Sequence, residues 1–93
     1  DKAILHAFGA DFQEISDDEK LKFKVKNGVK VLKIDDGKLK QTGVKSGFII
    51  THVNNKVVSN PEELQHYLKN TTRGLLLEGV YPNGQRVLYA LGL

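Results

Sequence analysis

The sequence predicts a mixed α+β domain that is mainly β: a partly open barrel or sandwich of five to six strands, capped by one long helix and one or two short helices. Two observations favour this class. Short apolar or β-branched segments recur along the chain between turns rich in Gly and Asn. Long helices do not alternate with these segments, so a doubly wound parallel sheet is not expected.

Two strands are predicted in the N-terminal third of the chain. Leu5 to Phe12 is apolar with a period of two, and Gly9 inside it indicates a bulge or a close backbone approach. Val29 to Ile34 is dense in β-branched residues and ends at Asp35-Asp36-Gly37.

The segment between these strands carries two conflicting signals. Ser16 followed by Glu19 is a capping-box pattern, which predicts a short helix from about Asp17 to Phe23. The strict alternation from Lys20 to Lys26 before Asn27-Gly28 is also typical of a hairpin. We favour the helix, followed by a turn at Asn27-Gly28.

The remaining elements are predicted in chain order. Lys38 to Thr42 forms a single helical turn closed by Gly43, and Phe48 to Val53 forms a strand with a short extension beyond a turn at Asn54-Asn55. The long helix begins after Asn60, an N-cap residue followed by Pro61, and stops near Asn70. The last two strands, Leu75 to Tyr81 and Arg86 to Leu91, are joined by Pro82-Asn83-Gly84-Gln85.

Length and composition predict one small folded domain, residues 1–93, without membrane insertion. The chain has 93 residues, of which 40% are hydrophobic, and no apolar run approaches the roughly 20 residues of a membrane helix. It contains no Met and begins with Asp1, so we expect a fragment of a longer chain. The absence of Cys excludes disulfides and thiolate metal sites.

Catalysis, metal binding and nucleic-acid binding are not expected. No two of His6, His52 and His66 have the spacing that places metal ligands on one helical face, and Ser46 lies in no nucleophile motif. We therefore predict no catalytic residues, no metal and no cofactor. The lysines of Lys20 to Lys26 are interpreted as a solvated face, because a nucleic-acid surface would carry interleaved exposed aromatics.

Binding of an extended peptide fits the predicted elements better. An exposed strand edge beside a helix with an apolar face makes a groove, which a peptide enters by adding a strand to the sheet.

One segment resembles a known family. The motif combines glycines with apolar pairs in the stretch Thr42-Gly43-Val44-Lys45-Ser46-Gly47-Phe48-Ile49-Ile50-Thr51-His52-Val53-Asn54-Asn55-Lys56-Val57-Val58. It resembles the PDZ domains of HtrA/Do-like (DegP-like) bacterial periplasmic serine proteases, and the resemblance extends from about Leu5 to Leu91. Phe48 stands where the family usually has Asp, and Asn55 where it usually has Gly. The irregular N-terminal loop favours the C-terminal (second) PDZ domain.

The resemblance implies a peptide-binding site in the N-terminal region. The peptide carboxylate would be held by backbone amides of Phe8-Gly9-Ala10, with Ala7 before it, since Gly permits the close approach. A different register places the loop at Ile4 to Ala7 and makes Phe8 to Phe12 the pairing strand. In either register Phe8, Ala10 and Phe12 share one side of the strand. The helix residues that complete the groove are Leu64, Tyr67 and Leu68. Core packing is the alternative role for these side chains.

The resemblance also implies the setting of the domain. The protease's catalytic residues lie in another domain, so this chain itself is not expected to be an enzyme. Its implied partners are unfolded or C-terminal peptide segments, the parent protease domain and neighbouring PDZ domains, in the periplasm or cell envelope. It would regulate or target the protease. Two alternatives are an assembly or scaffold domain that stabilises the protease oligomer with its groove closed or self-occupied, and, more remotely, a hydrolase that uses Ser46.

Overall fold

Seven strands and three helices follow one another in the part of the chain that this computed structural model describes, residues 2–71 and 74–92. In chain order they are β1 (Ile4–Ala7), β2 (Ala10–Glu14), α1 (Asp17–Phe23), β3 (Val29–Ile34), α2 (Lys38–Thr42), β4 (Ile49–Val53), β5 (Lys56–Val57), α3 (Pro61–Lys69), β6 (Leu75–Val80) and β7 (Arg86–Leu91).

All the strand pairs are antiparallel and belong to one sheet. The strand order is β1-β2-β3-β4-β6-β7, and β5 pairs with β4. Because β1 and β7 lie at opposite ends of this order, the sheet does not close into a barrel. The predicted class, mixed and mainly β, is confirmed. The sheet has seven strands instead of five or six, since the N-terminal segment contributes one more than expected.

The prediction of a single strand from Leu5 to Phe12 is wrong, because this segment is a hairpin. β1 and β2 pair with the register Ala7 opposite Ala10 and Leu5 opposite Phe12. The turn consists of Phe8 and Gly9, with φ angles of +54° and +76°. Two successive positive φ angles are typical of a type I′ hairpin turn.

The conflict over residues 17–28 is settled in favour of the helix. The Ser16 side chain accepts a hydrogen bond from the Glu19 amide at 3.1 Å, and the Ser16 amide donates to the Glu19 carboxylate at 3.0 Å. Lys24, in the left-handed conformation, ends α1. The Asn27 side chain then donates to the carbonyls of Thr51 and Val58, both at 2.8 Å, so it ties this connection to β4 and to the segment between β5 and α3.

The other predicted elements are present with small boundary shifts. α3 begins as expected: the Asn60 side chain accepts from the Glu63 amide at 2.9 Å and Pro61 opens the helix. α2 is closed by Gly43, and β6 and β7 form the C-terminal hairpin. Within the described residues, no helix has the length and apolar character needed to cross a bilayer.

Most buried apolar side chains form one cluster between the sheet and α3. α3 contributes Leu64 and Leu68, and β2 contributes Ala10 and Phe12. A second cluster under α1 contains Ile15, Ile49 and Val80. The first cluster fixes α3 against the β1–β2 end of the sheet, and this end holds the candidate site.

Candidate peptide-binding groove

β2 and α3 form the two walls of a groove at one end of the sheet. Ala10 and Phe12 alternate along β2 and are buried, and Leu64 and Leu68 are buried one helical turn apart on α3. Residues four apart lie on one face of a helix, and residues two apart lie on one face of a strand. The two walls therefore present apolar side chains towards each other.

β1 lies in this groove. It is antiparallel to β2, and α3 contacts both β1 and β2. Leu5 and Ala7 are half-buried on the inner face, while Ile4 and His6 are exposed on the outer face. The inner side chains pack into a narrow apolar space that also touches the α3 side chains; its lining residues are Leu5, Ala7, Phe8, Phe12, Leu64, Gln65 and Leu68. The groove is thus filled by a strand of the same chain.

Polar contacts between β1 and β2 lie on the exposed outer face. The His6 ring nitrogen Nδ1 is 2.5 Å from a carboxylate oxygen of Asp11. The Gln13 side chain donates to the Lys2 carbonyl at 2.8 Å. Exposed pairs of this kind contribute little to stability. The backbone pairing with β2 and the inner, apolar contacts therefore hold β1 in the groove.

The turn between β1 and β2 packs against the residues that precede α2. The Asp35 amide donates to the Gly9 carbonyl at 2.7 Å, and a Cβ atom on Gly9 would lie 3.0 Å from the Asp36 carbonyl oxygen. Phe8 is 42% exposed. Beyond the turn lies an apolar cavity of about 140 Å³, lined by Phe8, Gly37, Lys38, Leu39, Leu68 and Leu91.

Comparisons with known proteins agree with this architecture. The structure resembles the crystal structure of the HtrA3 PDZ domain bound to a phage-derived ligand (FGRWV), with a TM-score of 0.79 and 22% sequence identity; the match covers 99% of this chain and 88% of that chain. The chain has the PDZ fold. Its sequence is 31% identical over 61 residues to the "Probable periplasmic serine endoprotease DegP-like" of Pseudomonas fluorescens. No family model matches.

The resemblance to PDZ domains of HtrA/DegP-like proteases, inferred from the sequence, is confirmed. The aligned residues make up 66% of this chain but only 13% of the DegP-like relative. That the chain is the second PDZ domain of a longer protein stays a prediction.

Seven of the eight residues predicted for the binding site fall in three places: the groove walls, the strand between them and the turn of that strand. Four lie in the groove walls: Ala10, Phe12, Leu64 and Leu68. Ala7 belongs to the strand that fills the groove, and Phe8 and Gly9 form its turn. In this structure Phe8-Gly9-Ala10 connects β1 to β2, and binding of a peptide carboxylate by its backbone amides stays a prediction.

Tyr67 lies away from the groove. Its hydroxyl group is 3.5 Å from the Val57 carbonyl of β5, and the Lys56 ammonium is 6.0 Å from its ring centre. Tyr67 therefore points towards β5, on the side of α3 that faces away from the groove. Gln65, which the sequence did not single out, takes the place beside Leu64 in the groove lining.

The occupant of the groove was also missed. Leu5 is the largest inward side chain of β1, and its two-residue spacing from Ala7 was the available signal. The cavity residues Leu39 and Leu91 come from α2 and β7, which are distant in sequence. Only the folded chain brings these residues together.

The groups with shifted pKa values among the described residues lie outside the groove. Burial is the main cause that raises the pKa of Tyr89 to about 12, and the 2.5 Å hydrogen bond with Tyr81 and the charge of Tyr81 add to this shift. Burial alone would raise the pKa of Glu19, but hydrogen bonds from Lys30 and Ser16 and the Lys30 charge hold it below its usual value. The side chains that line the groove are apolar apart from Gln65, and none of these lining side chains is titratable.

The three histidines occupy separate surroundings. His6 contacts Asp11, the His52 ring is 2.9 Å from the Thr51 hydroxyl group, and the His66 ring is 3.1 Å from the Asn70 side chain. In residues 2–71 and 74–92, no group of three or more His, Cys, Asp or Glu side chains is placed to hold a metal ion.

Proposed function

We propose that this PDZ domain is a non-catalytic module that binds extended or C-terminal peptide segments by adding a strand to β2 beneath α3. The observation that carries the proposal is the position of β1. An extended segment with alternate side chains pointing inward lies between β2 and α3. The groove therefore has the width for an extended strand, and the edge of β2 that β1 occupies is the edge that a peptide ligand of this type requires.

The groove favours aliphatic side chains at alternate positions of the ligand. Leu5 and Ala7 occupy two such positions, and the cavity beyond the turn offers about 140 Å³ more apolar space. A cavity of about 150 Å³ holds a benzene-sized group, so this volume suits one larger aliphatic residue. The HtrA3 PDZ domain is bound to a ligand that ends in Val.

The setting we propose follows from the sequence relationship. The relative is named as a periplasmic serine endoprotease, and this chain matches a small part of it. We propose that residues 1–93 are one PDZ domain of a longer chain in the periplasm or cell envelope. It would regulate or target an attached HtrA-type protease, with unfolded segments, the protease domain and neighbouring PDZ domains as partners.

A second candidate function is assembly of the protease oligomer with the groove closed. The same position of β1 favours it, because the groove is filled in this conformation. The two candidates differ in one measurable property: a peptide module binds added peptide, whereas an assembly domain with a permanently closed groove does not.

Titration of the isotope-labelled domain with the peptide FGRWV tests the proposal by NMR. We expect chemical-shift changes concentrated in β2 and in α3 from Leu64 to Leu68. Leu68→Ala, which enlarges the groove, should weaken binding. Leu21→Ala is the matched control, because Leu21 is 80% exposed on α1. No shift change at millimolar peptide, in the wild type and in a variant whose β1 is weakened by Leu5→Glu, would overturn peptide binding and leave the assembly function as the explanation of the closed groove.

A further inference from the structure

We propose that β1 is a tethered internal ligand of the groove and that a peptide binds this domain by displacing it. This inference rests on the proposed peptide-binding function and specifies how the site is regulated.

β1 has the arrangement of a bound strand ligand. It runs antiparallel to β2, and its carboxyl end, Ala7, lies opposite Ala10, the first residue of β2. Its inner side chains Leu5 and Ala7 line the same narrow space as Leu64 and Leu68 of α3. A strand-adding peptide needs the same edge of β2 and the same inner face, so β1 and a peptide are mutually exclusive.

The attachment of β1 is weak. The strand has four residues, and its inner side chains are only half-buried. Ile4 is 49% exposed, and the turn requires a positive φ at Phe8, which a residue with a side chain adopts at an energetic penalty. Ala7 is small and does not fill the cavity beside the turn, so this cavity has room for a larger side chain of a peptide. A peptide with more apolar contact therefore has an advantage over β1.

The groove walls have supports that do not involve β1. β2 pairs with β3 from Ala10 to Glu14, and α3 has its own cap at Asn60 and buried side chains in the main cluster. Departure of β1 would leave β2 and α3 in place but expose their apolar faces. These faces are stabilised when another strand covers them, which links displacement of β1 to binding of a peptide.

A population argument gives the expected direction. When the binding-competent state is only a fraction of the molecules, the apparent Kd is the intrinsic Kd divided by that fraction. Weakening β1 raises the open fraction and should increase apparent affinity. Fixing β1 in place should remove binding.

A reversible disulfide provides the fixed state. The turn residues Phe8 and Gly9 make Ala7 and Ala10 a hydrogen-bonded pair, so the next pair outward, His6 and Asp11, is a non-hydrogen-bonded pair with closer Cβ atoms. Their side chains already meet at 2.5 Å on the outer face. The chain has no Cys, so His6→Cys combined with Asp11→Cys introduces a single disulfide that a reductant opens.

A second pair of variants weakens β1 without a disulfide. Leu5→Glu places a charge on the inner face, whereas Ile4→Glu places it on the exposed outer face of the same strand. Leu5→Glu should increase apparent peptide affinity by at least about fivefold, the factor for losing roughly half the transfer free energy of a buried Leu side chain. Ile4→Glu should leave affinity within about twofold of wild type.

The probe is a synthetic peptide with the sequence of residues 2–7, followed by NMR titration of the whole 93-residue chain. We expect the reduced double-Cys variant to bind and the oxidised form not to bind. Equal binding by both forms would overturn displacement and leave peptide binding standing. An unchanged affinity for Leu5→Glu would also overturn displacement. Failure of every form to bind, Leu5→Glu included, would overturn the proposed function and this inference with it.

Discussion

Gly79 lies where β6 passes the Ile49 carbonyl of β4, and its replacement by Ala should strongly destabilise the domain. A Cβ atom at this position would lie 2.0 Å from the carbonyl oxygen of Ile49 and 2.8 Å from a ring carbon of Phe48. A carbon atom normally stays at least about 3.3 Å from a carbonyl oxygen, so the strands would have to separate by about 1.3 Å.

This separation determines the size of the effect. Interstrand hydrogen bonds near 2.9 Å would be stretched beyond 3.5 Å, where they are no longer hydrogen bonds. Each buried backbone group that loses its partner costs about 1 to 3 kcal/mol, and at least two are affected. We expect Gly79→Ala to lower the free energy of unfolding by about 4 kcal/mol, which is most of the stability of a small domain.

Urea unfolding followed by circular dichroism measures this change. Gly84→Ala is the control, because no atom lies within 4 Å of its added Cβ and only the φ of +90° opposes the substitution. Its expected loss is about 1 to 2 kcal/mol. If Gly79→Ala is as stable as Gly84→Ala, the close approach of β6 to β4 is not as described.

Three further predictions concern polar contacts. The folded-state pKa of Tyr89 is raised to about 12 from 10.0, so the contribution of the protonated Tyr89 to the free energy of unfolding is complete below pH 10 and is lost towards pH 12. Tyr81→Phe should move the ionisation of Tyr89, followed by ultraviolet absorbance, to lower pH. Because the pKa of Glu19 is lowered from 4.5, the contribution of its carboxylate to the free energy of unfolding is present above pH 4.5 and is lost as the pH falls further. Lys30→Met should make the free energy of unfolding in urea depend less on pH in the acidic range. An unchanged pH dependence would contradict the role of Lys30 in lowering this pKa. Asn27→Ala leaves two carbonyls without their donor and should lower the free energy of unfolding by about 1 to 3 kcal/mol in the same assay; a change below about 0.5 kcal/mol would show that water replaces the side chain.

Local sequence signals predicted the elements whose formation depends on neighbouring residues. Ser16 with Glu19 identified α1, and Asn60 with Pro61 identified α3, since caps act within one helical turn. The N-terminal hairpin was missed for a physical reason. Its turn requires a positive φ at Phe8, and an aromatic residue gives no indication of that conformation.

The walls of the site could be predicted but its occupant could not. Leu64 and Leu68 follow from helical spacing, and Ala10 and Phe12 from strand alternation. The same alternation describes Leu5 whether it begins a longer strand or folds back beside β2. The choice depends on contacts with α3, which begins more than fifty residues later in the chain.

The two-residue turn between β1 and β2 determines the concentration that a competing peptide needs. A ligand joined to its site by so short a connection is present at an effective concentration of millimolar or higher. A free peptide identical to β1 would have to reach that concentration to replace half of it. Peptides that bind weakly or are present at low concentration therefore do not displace β1. The groove selects ligands that are abundant, multivalent or more apolar than Leu5 and Ala7.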